Sequence, residues 1–235
     1  MGLGGRVRKL LPPLLRPGFP DEARRLVQEP VLREALASSR PAGRCLNAGC
    51  GEGLYSAFLE SYGGLTEIVN MDLELPHIAE RRSDGRNTDV SGSLTEIPLP
   101  DRSLGFVLCT EVIEHVPDDR AGARELGRVL EPGGLALISV PTPPAPPDPE
   151  HVREGYTLDE LTALLADGSL EVLWHRFCFH QWMRWLLPTW RWQYVHLGRG
   201  RRSLMPRLAV RAFAWADRAL PFGKPWDLVV LARRS

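Results

Sequence analysis

From residue 43 to residue 141 short apolar runs alternate with helical stretches, and this alternation limits the fold more than any other feature of the chain. The runs are "RCLNA", "TEIVNMD", "SLGFVLCT" and "LALISVP", with a shorter one at "GRNTDV". Several are apolar at successive positions, so both faces must be covered. That is the situation of a strand in a mostly parallel sheet with helices on either side. Between the runs lie "GLYSAFLESY", closed by Gly63 and Gly64, and "DDRAGARELGRVL", stopped by Pro132, Gly133 and Gly134. Further on, "TLDELTALLADG" reads as a helix with Thr157 as its N-cap and Glu160 completing a capping box. "SLEVLWHRFCF" and the terminal "PWDLVVLARR" read as two more strands. Ahead of the alternation, residues 20–39 look helical, with a break at Pro30.

Three segments follow from this pattern: an N-terminal helical segment at 1–40, a core at 41–178 plus 226–235, and an insertion at 179–225. Charge separates the last from the rest. Residues 1–174 carry 17 Lys+Arg against 27 Asp+Glu, whereas residues 175–235 carry 12 against 2, so a formally neutral chain is acidic first and basic last. The cysteines Cys45, Cys50, Cys109 and Cys178 form no CxxC pair and mostly sit in or beside apolar runs. They read as buried free thiols, which fits a cytoplasmic place rather than an oxidising one. The basic, leucine-containing start is interrupted by Pro12 and Pro13, and is read as neither a signal peptide nor a membrane span.

The chemistry begins at "NAGCGEG", where Gly49, Gly51 and Gly53 alternate directly after the first strand. Glycines there allow positive φ and let a backbone press against a ligand. In a parallel sheet, ligands bind beyond the carboxyl ends of the strands. The spacing is G-x-G-x-G, which is not the G-x-G-x-x-G that cradles a pyrophosphate. The next strand ends in Asp72, 19 residues after Gly53, placed to accept the hydroxyls of a ribose. The strand after that ends in Asp89 and Val90, placed to read an adenine amino group.

Taken in order, "CLNAGCGEG", "VNMD", "TDVSGSLTEIPLPDRSLGFVLCTEVIEHV" and "ELGRVLEPGGLALISVP" resemble a class I S-adenosylmethionine-dependent methyltransferase. The likeness is to the type 11 group that includes quinone-biosynthesis and many small-molecule enzymes, and it covers about residues 41–177 plus the last strand. It implies a Rossmann-like seven-stranded sheet of order 3-2-1-4-5-7-6, with strand 7 antiparallel and helices on both faces. S-adenosylmethionine would be the cofactor and S-adenosylhomocysteine the product. Gly49, Gly51 and Gly53 match the turn around the methionine portion, Asp72 the ribose acceptor, and Leu73 the residue packed on adenine. Asp89 and Val90 match the adenine-edge contact, and Thr110 lies near the sulfonium. Asn47 stands where the family often has a carboxylate.

Candidates for the acceptor side cluster in "TEVIEHVPDD". If Glu111 starts a helical turn, Glu114 and His115 fall at i+3 and i+4 on its face. Glu111 would orient groups near the cofactor while Glu114 is solvated, and His115 could pack or act as a general base. Alternatively Glu111, Glu114, His115 and His151 hold a divalent cation. That pattern is similar to the metal site of small-RNA 2′-O-methyltransferases and of some quinone O-methyltransferases, but no metal is assigned. His151 and Tyr156 follow the fifth strand, where the family often contacts its acceptor.

Five of the seven tryptophans lie in 179–225 (Trp182, Trp185, Trp190, Trp192 and Trp215), among many arginines. In "LMPRLAVRAFAWADRAL" the apolar residues Leu204, Leu208, Phe213, Ala216 and Leu220 follow a helical period, with Arg207, Arg211 and Arg218 on another face. The segment reads as a lid with a small tryptophan core, as an interfacial membrane helix, or as a single-strand RNA surface, in that order. The expected activity is methyl transfer to oxygen or nitrogen, less so carbon, of a small or lipid-linked metabolite. The alternatives are a metal-dependent RNA 2′-O-methyltransferase and a non-catalytic binding protein.

Overall fold

The computed structural model describes residues 21–74, 85–146, 151–189 and 206–235. The readings made on the basic start and on Trp190, Trp192 and Leu204 fall outside these residues. The described chain divides into two compact units. One holds Leu32–Phe177 and Trp226–Ser235, and the other holds the rest.

The larger unit is built on seven strands: β1 Gly43–Ala48, β2 Leu65–Asp72, β3 Asn87–Ser91, β4 Leu104–Thr110, β5 Leu130–Pro141, β6 Leu170–Cys178 and β7 Asp227–Arg234. They form one sheet of order β3-β2-β1-β4-β5-β7-β6. β1 pairs parallel with β2 and β4, and β5 runs parallel to β4 but antiparallel to β7. The expected order and the reversed seventh strand are therefore both present. The central strands are buried on both faces: Leu46, Val107, Ile138 and Val230 are fully enclosed. Edge strand β6 alternates instead, as a strand with one wet face does.

Four further helices matter for the site and its support. In chain order they are α1 Asp21–Leu36, α2 Ser56–Glu60, α3 Asp119–Val129 and α4 Leu158–Ala166. Asp118 caps α3 by accepting the Ala121 N–H at 2.9 Å. Thr157 and Glu160 form the anticipated capping box on α4. Two expectations are corrected. First, α2 starts only at Ser56 and is a short helix of five residues, because the glycine turn uses up the preceding positions. Second, α1 runs through Pro30 without a break. Proline removes the N–H that would bond Leu26 four residues back. The Leu26 carbonyl instead accepts from Arg218 Nη1 at 3.5 Å, which lowers the penalty for keeping the helix.

The smaller unit contains α5 Gln181–Arg184 and α6 Arg207–Ala219. Asp217, 1% exposed, joins them: its carboxylate accepts the backbone N–H of His180 at 2.8 Å and of Met183 at 3.0 Å. Around this pin, the Trp182 ring meets Trp185, Phe213 and Phe222 edge to face at 5.2, 6.2 and 5.3 Å. Its indole N–H donates to the Leu220 carbonyl. The buried stripe of α6 is Val210, Ala214 and Asp217. Of the apolar period expected on this helix, Leu208 and Leu220 are 50% and 60% exposed, and Phe213 and Ala216 are half-buried. Whatever face carries residue 217 has to turn inward to serve α5, so the helix is rotated away from the face that its leucines alone would choose.

Candidate functional site

The strand order reverses between β1 and β4, and the carboxyl ends of these strands frame a crevice. The glycine turn occupies one side of it. Gly49, Gly51 and Gly53 have φ of +62°, +48° and +77°. The turn is stitched to the end of β2: the Cys50 N–H donates to Met71 O at 3.0 Å, and the Gly51 N–H donates to Asp72 Oδ2 at 2.8 Å. The first two glycines serve different ends. A Cβ on Gly49 would lie 2.3 Å from Val112 Cγ2, so protein fills that space. A Cβ on Gly51 would meet nothing within 4 Å among the described residues, so they leave that side of the turn open. Beside it Leu73 leaves an apolar side chain 71% exposed directly after Asp72.

Asn47 is buried, at 3% exposure. Its amide donates to Asn70 Oδ1 at 3.0 Å, and the Asn70 amide donates to Asp89 Oδ1 at 3.0 Å and Asn87 Oδ1 at 3.1 Å. This row of side chains crosses three neighbouring strands, β1, β2 and β3, and ends on the exposed Asp89. A carboxylate at 47 would offer an acceptor where Asn70 needs a donor. The amide in place of the family's usual acid is matched to Asn70.

On the other side of the crevice β4 ends at Thr110, paired with Ser139 of β5. Glu111 follows with φ +55°, unusual for a residue with a side chain. It is held there twice by Ser139: its N–H donates to Ser139 O at 3.0 Å, and its Oε1 accepts from Ser139 Oγ at 2.8 Å. Glu111 therefore does not begin a helical turn. A 3-10 turn at Ile113–His115 does, and it buries Glu114 completely, against the expectation of a solvated side chain. Glu114 Oε1 lies 3.8 Å from His115 Nε2 and 3.9 Å from His151 Nε2, and the two imidazoles meet edge to face at 4.6 Å. Glu111 belongs to Ser139 and is not part of this group. Among the described residues, Glu114, His115 and His151 are the His, Cys or acidic residues whose donor atoms could share one metal ion, all within 4.8 Å. Burial and then the nearby Glu114 and Glu111 carboxylates push the Cys109 thiol far up, so it stays protonated and inert.

His151 reaches this place from a distant part of the chain. The Val152 N–H donates to the Glu114 carbonyl at 3.0 Å. Behind it Asp119 Oδ2 accepts from the Tyr156 hydroxyl at 3.0 Å and pairs with Arg153 at 2.8 Å, while that guanidinium lies over the Tyr156 ring. Burial and the Asp119 bond hold the Tyr156 hydroxyl protonated, which makes it a brace and not a base.

Residues 46–138 match the family described as "Methyltransferase domain". A curated protein of Mycolicibacterium smegmatis, "Probable S-adenosylmethionine-dependent methyltransferase/", is 34% identical over 165 residues, which is 66% of this chain and 63% of that protein. Residues 46–138 are a methyltransferase domain, and the core around them is similar to class I S-adenosylmethionine-dependent methyltransferases. A "Ubiquinone biosynthesis O-methyltransferase" of Xanthomonas campestris is 33% identical over 106 residues, 42% of this chain and 43% of that one. The chain thus spans less than two thirds of the curated relatives it matches. The crystal structure of an S-adenosylmethionine-dependent methyltransferase from Mesorhizobium loti superposes with a TM-score of 0.58 at 19% identity, covering 87% of this chain and 96% of that one, and shows the shared fold.

The residues of this methyltransferase core fit the family's cofactor. The open side of Gly51, the carboxylate of Asp72 and the bare Leu73 lie together at the ends of β1 and β2. A carboxylate has about four acceptor positions, so the Gly51 bond leaves Asp72 able to take ribose hydroxyls. Several parts of the site went unread in the sequence: Asn70, Ser139, Val112 beneath Gly49, and the Asp119–Arg153 pair that makes Tyr156, expected near the acceptor, a buried brace. Only Asn70 left a signal, as an amide inside an otherwise apolar strand.

Proposed function

We propose that this protein transfers the methyl group of S-adenosylmethionine to an oxygen or nitrogen of a small or lipid-linked metabolite. The two imidazoles beside a buried carboxylate carry this reading, because they lie beyond the same strand ends as the glycine turn. A methyl acceptor attacks through a lone pair, the carbon–sulfur bond breaks, and the sulfur keeps its electrons as a neutral thioether. An O–H or N–H acceptor must then lose a proton, which carbon acceptors and thioethers do not offer to an imidazole in the same way.

The cofactor would be held by Gly49, Gly51 and Gly53 along the methionine portion, by Asp72 on the ribose, by Leu73 on the adenine face, and by Asp89 and Val90 at its edge. Thr110 lies at the end of β4 towards the reacting centre. Asn47 acts through Asn70 as a positioning residue. His115, 34% exposed, takes the acceptor's proton, and His151, 14% exposed, fixes the ring that takes it. Glu111 orients groups from its fixed position on Ser139. Alignment supplies the larger part of the rate, since in-line displacement needs little else from a protein.

A second reading rests on the same trio. One carboxylate and two imidazoles within 4.8 Å make a donor set that suits zinc or manganese. A cation there would lower the pKa of an acceptor hydroxyl in place of a base.

Calorimetry with S-adenosylmethionine, followed by labelled-methyl transfer onto a panel of phenols, carboxylates and amines, tests both readings. Asp72→Ala should weaken cofactor binding by about 10- to 100-fold, the worth of one or two hydrogen bonds to a charged group. His115→Ala should leave that affinity intact and lower turnover by about 10²- to 10⁴-fold. The absence of any cofactor heat, with native protein and Asp72→Ala alike, would remove the proposal. Activity that a chelator abolishes and Mn²⁺ or Zn²⁺ restores would replace the base with the metal.

A further inference from the structure

The outward face of α6 has a composition that the methyl-transfer reading leaves unused. With Val210, Ala214 and Asp217 turned inward, the opposite stripe is Leu208, Ala212, Trp215 and Ala219, spaced four, three and four residues apart. All four are exposed, Leu208 at 50% and Trp215 at 67%. Arg211 and Arg218 border this stripe on one side and are exposed as well, while each also touches α1, Arg211 Nη1 at 3.8 Å from Glu22 Oε1 and Arg218 Nη1 at 3.5 Å from the Leu26 carbonyl. Leu220, Phe222 and Trp185 of the same unit add exposed apolar side chains past the helix end. Residues 175–225 hold ten Lys+Arg and one acid, and that acid is Asp217, which is buried on α5.

We propose that this face docks on an anionic lipid bilayer, with Leu208 and Trp215 at the headgroup–acyl boundary and Arg211 and Arg218 on lipid phosphates. Charge selects this occupant. A second copy packed face to face would set the same basic border against itself, and Glu22 of α1, which lies 3.8 Å from both Arg207 and Arg211, is only 18% exposed and already occupied by them. A single-stranded nucleic acid needs successive aromatic platforms, but the stripe offers one tryptophan among alanines and a leucine. An in-plane helix with aliphatic and Trp side chains beside arginines meets both halves of the interface, the apolar and the charged. At 1.5 Å per residue the 13 residues of α6 cover about 20 Å, enough to lie along a surface. No helix of the described residues is long and apolar enough to cross a membrane, so the contact proposed is peripheral.

Flotation of the full chain with phosphatidylcholine vesicles containing none or 30% phosphatidylglycerol tests this, with tryptophan emission read in parallel. The expected result is binding that needs the anionic lipid, weakens with salt, and shifts the emission to the blue. Arg211→Ala and Arg218→Ala should each lower the partition about fivefold. Trp215→Glu should lower it at least tenfold, with the far-ultraviolet dichroism spectrum and the heat of S-adenosylmethionine binding unchanged. Equal binding to neutral and anionic vesicles, or no binding, would overturn the proposal. So would Trp215→Glu converting a dimer to a monomer in light scattering, or binding to an oligonucleotide without binding to vesicles.

Discussion

Two turns leave the same edge of the sheet, one after β1 and one after β4, and both need backbone in the left-handed region. The first solves the problem with glycine: Gly49, Gly51 and Gly53 have no Cβ to strain. The second solves it by force, because Glu111 keeps its side chain at φ +55° while Ser139 holds it from two sides. A glycine turn leaves backbone bare for a ligand. A clamped glutamate presents a carboxylate in one orientation. On the proposed function, the difference separates a half of the crevice that would recognise the cofactor from a half that would handle the acceptor. It also separates what a sequence declares from what it conceals.

The largest effects should come from the two glycines that look alike in sequence. Gly49→Ala puts a methyl group 2.3 Å from Val112 Cγ2 at a φ of +62°. Overpacking and left-handed strain together should destabilise the core by roughly 3–5 kcal/mol. Gly51→Ala has only the strain, roughly 1–2 kcal/mol, because no atom of the described residues lies within 4 Å. Its methyl group would instead stand in the ligand's place. Thermal unfolding should therefore single out Gly49→Ala, while calorimetry with S-adenosylmethionine should show a folded Gly51→Ala with affinity down at least tenfold. Equal losses of stability in the two variants would erase the distinction between a turn packed on protein and a turn opened to a ligand.

Asn47→Asp tests the floor between the turns. The new carboxylate would face Asn70 Oδ1, and Asn70 could serve it only by rotating its amide away from Asp89. One buried group is left unmatched either way, at about 1–3 kcal/mol. Urea unfolding should show that loss, and adenosine discrimination should fall with it as Asp89 is released. A variant as stable as the native chain would mean that the row of amides does not couple β1 to β3.

These cases show why the fold was legible and the site only half so. The sheet order follows from apolar runs such as "LCT" and "VVL" alternating with capped helices, and periodicity survives without partners being known. The glycine turn is legible because glycine announces its own backbone. Ser139, Asn70 and Asp119 are not, since each gains its role from a residue 28, 19 or 37 positions away in the sequence. Pro30 misleads for the same reason: a break was expected, and Arg218, from the far end of the chain, supplies what the proline lacks. Glu114 reads as a surface acid in "EVIEHV" because His151, 3.9 Å from its buried carboxylate, comes from beyond β5 and 37 positions later in the sequence.

On the clamped side the expected loss is smaller. Ser139→Ala removes the hydroxyl that donates to Glu111, at about 1–2 kcal/mol for one bond to a charged acceptor. Strain at φ +55° would then have less to hold it, so turnover should fall more than cofactor affinity does. Ser139→Thr keeps the hydroxyl and should restore most of the rate. If Ser139→Ala lowers cofactor affinity instead, Glu111 belongs to the cofactor half of the crevice.

The smallest effect should come from a charge network that serves neither turn. Arg128 donates to Glu125 and Asp101 and to the carbonyls of Ile97 and Leu99, closing the loop between β3 and β4. The Arg128 hydrogen bonds, helped by the Ile97 N–H, hold the Glu125 carboxyl below the usual carboxylate range. A depressed pKa stabilises the fold above the unfolded value, near 4.3 for glutamate, and that contribution disappears as pH falls through the folded value. Glu125→Gln should thus lose about 1 kcal/mol at pH 7, a figure kept low by partial exposure of the pair. The deficit should shrink towards zero below pH 4 in denaturant titrations, with cofactor affinity unmoved throughout. A deficit that persists in acid would assign the loss to packing, and a fall in affinity would tie this loop to the crevice after all.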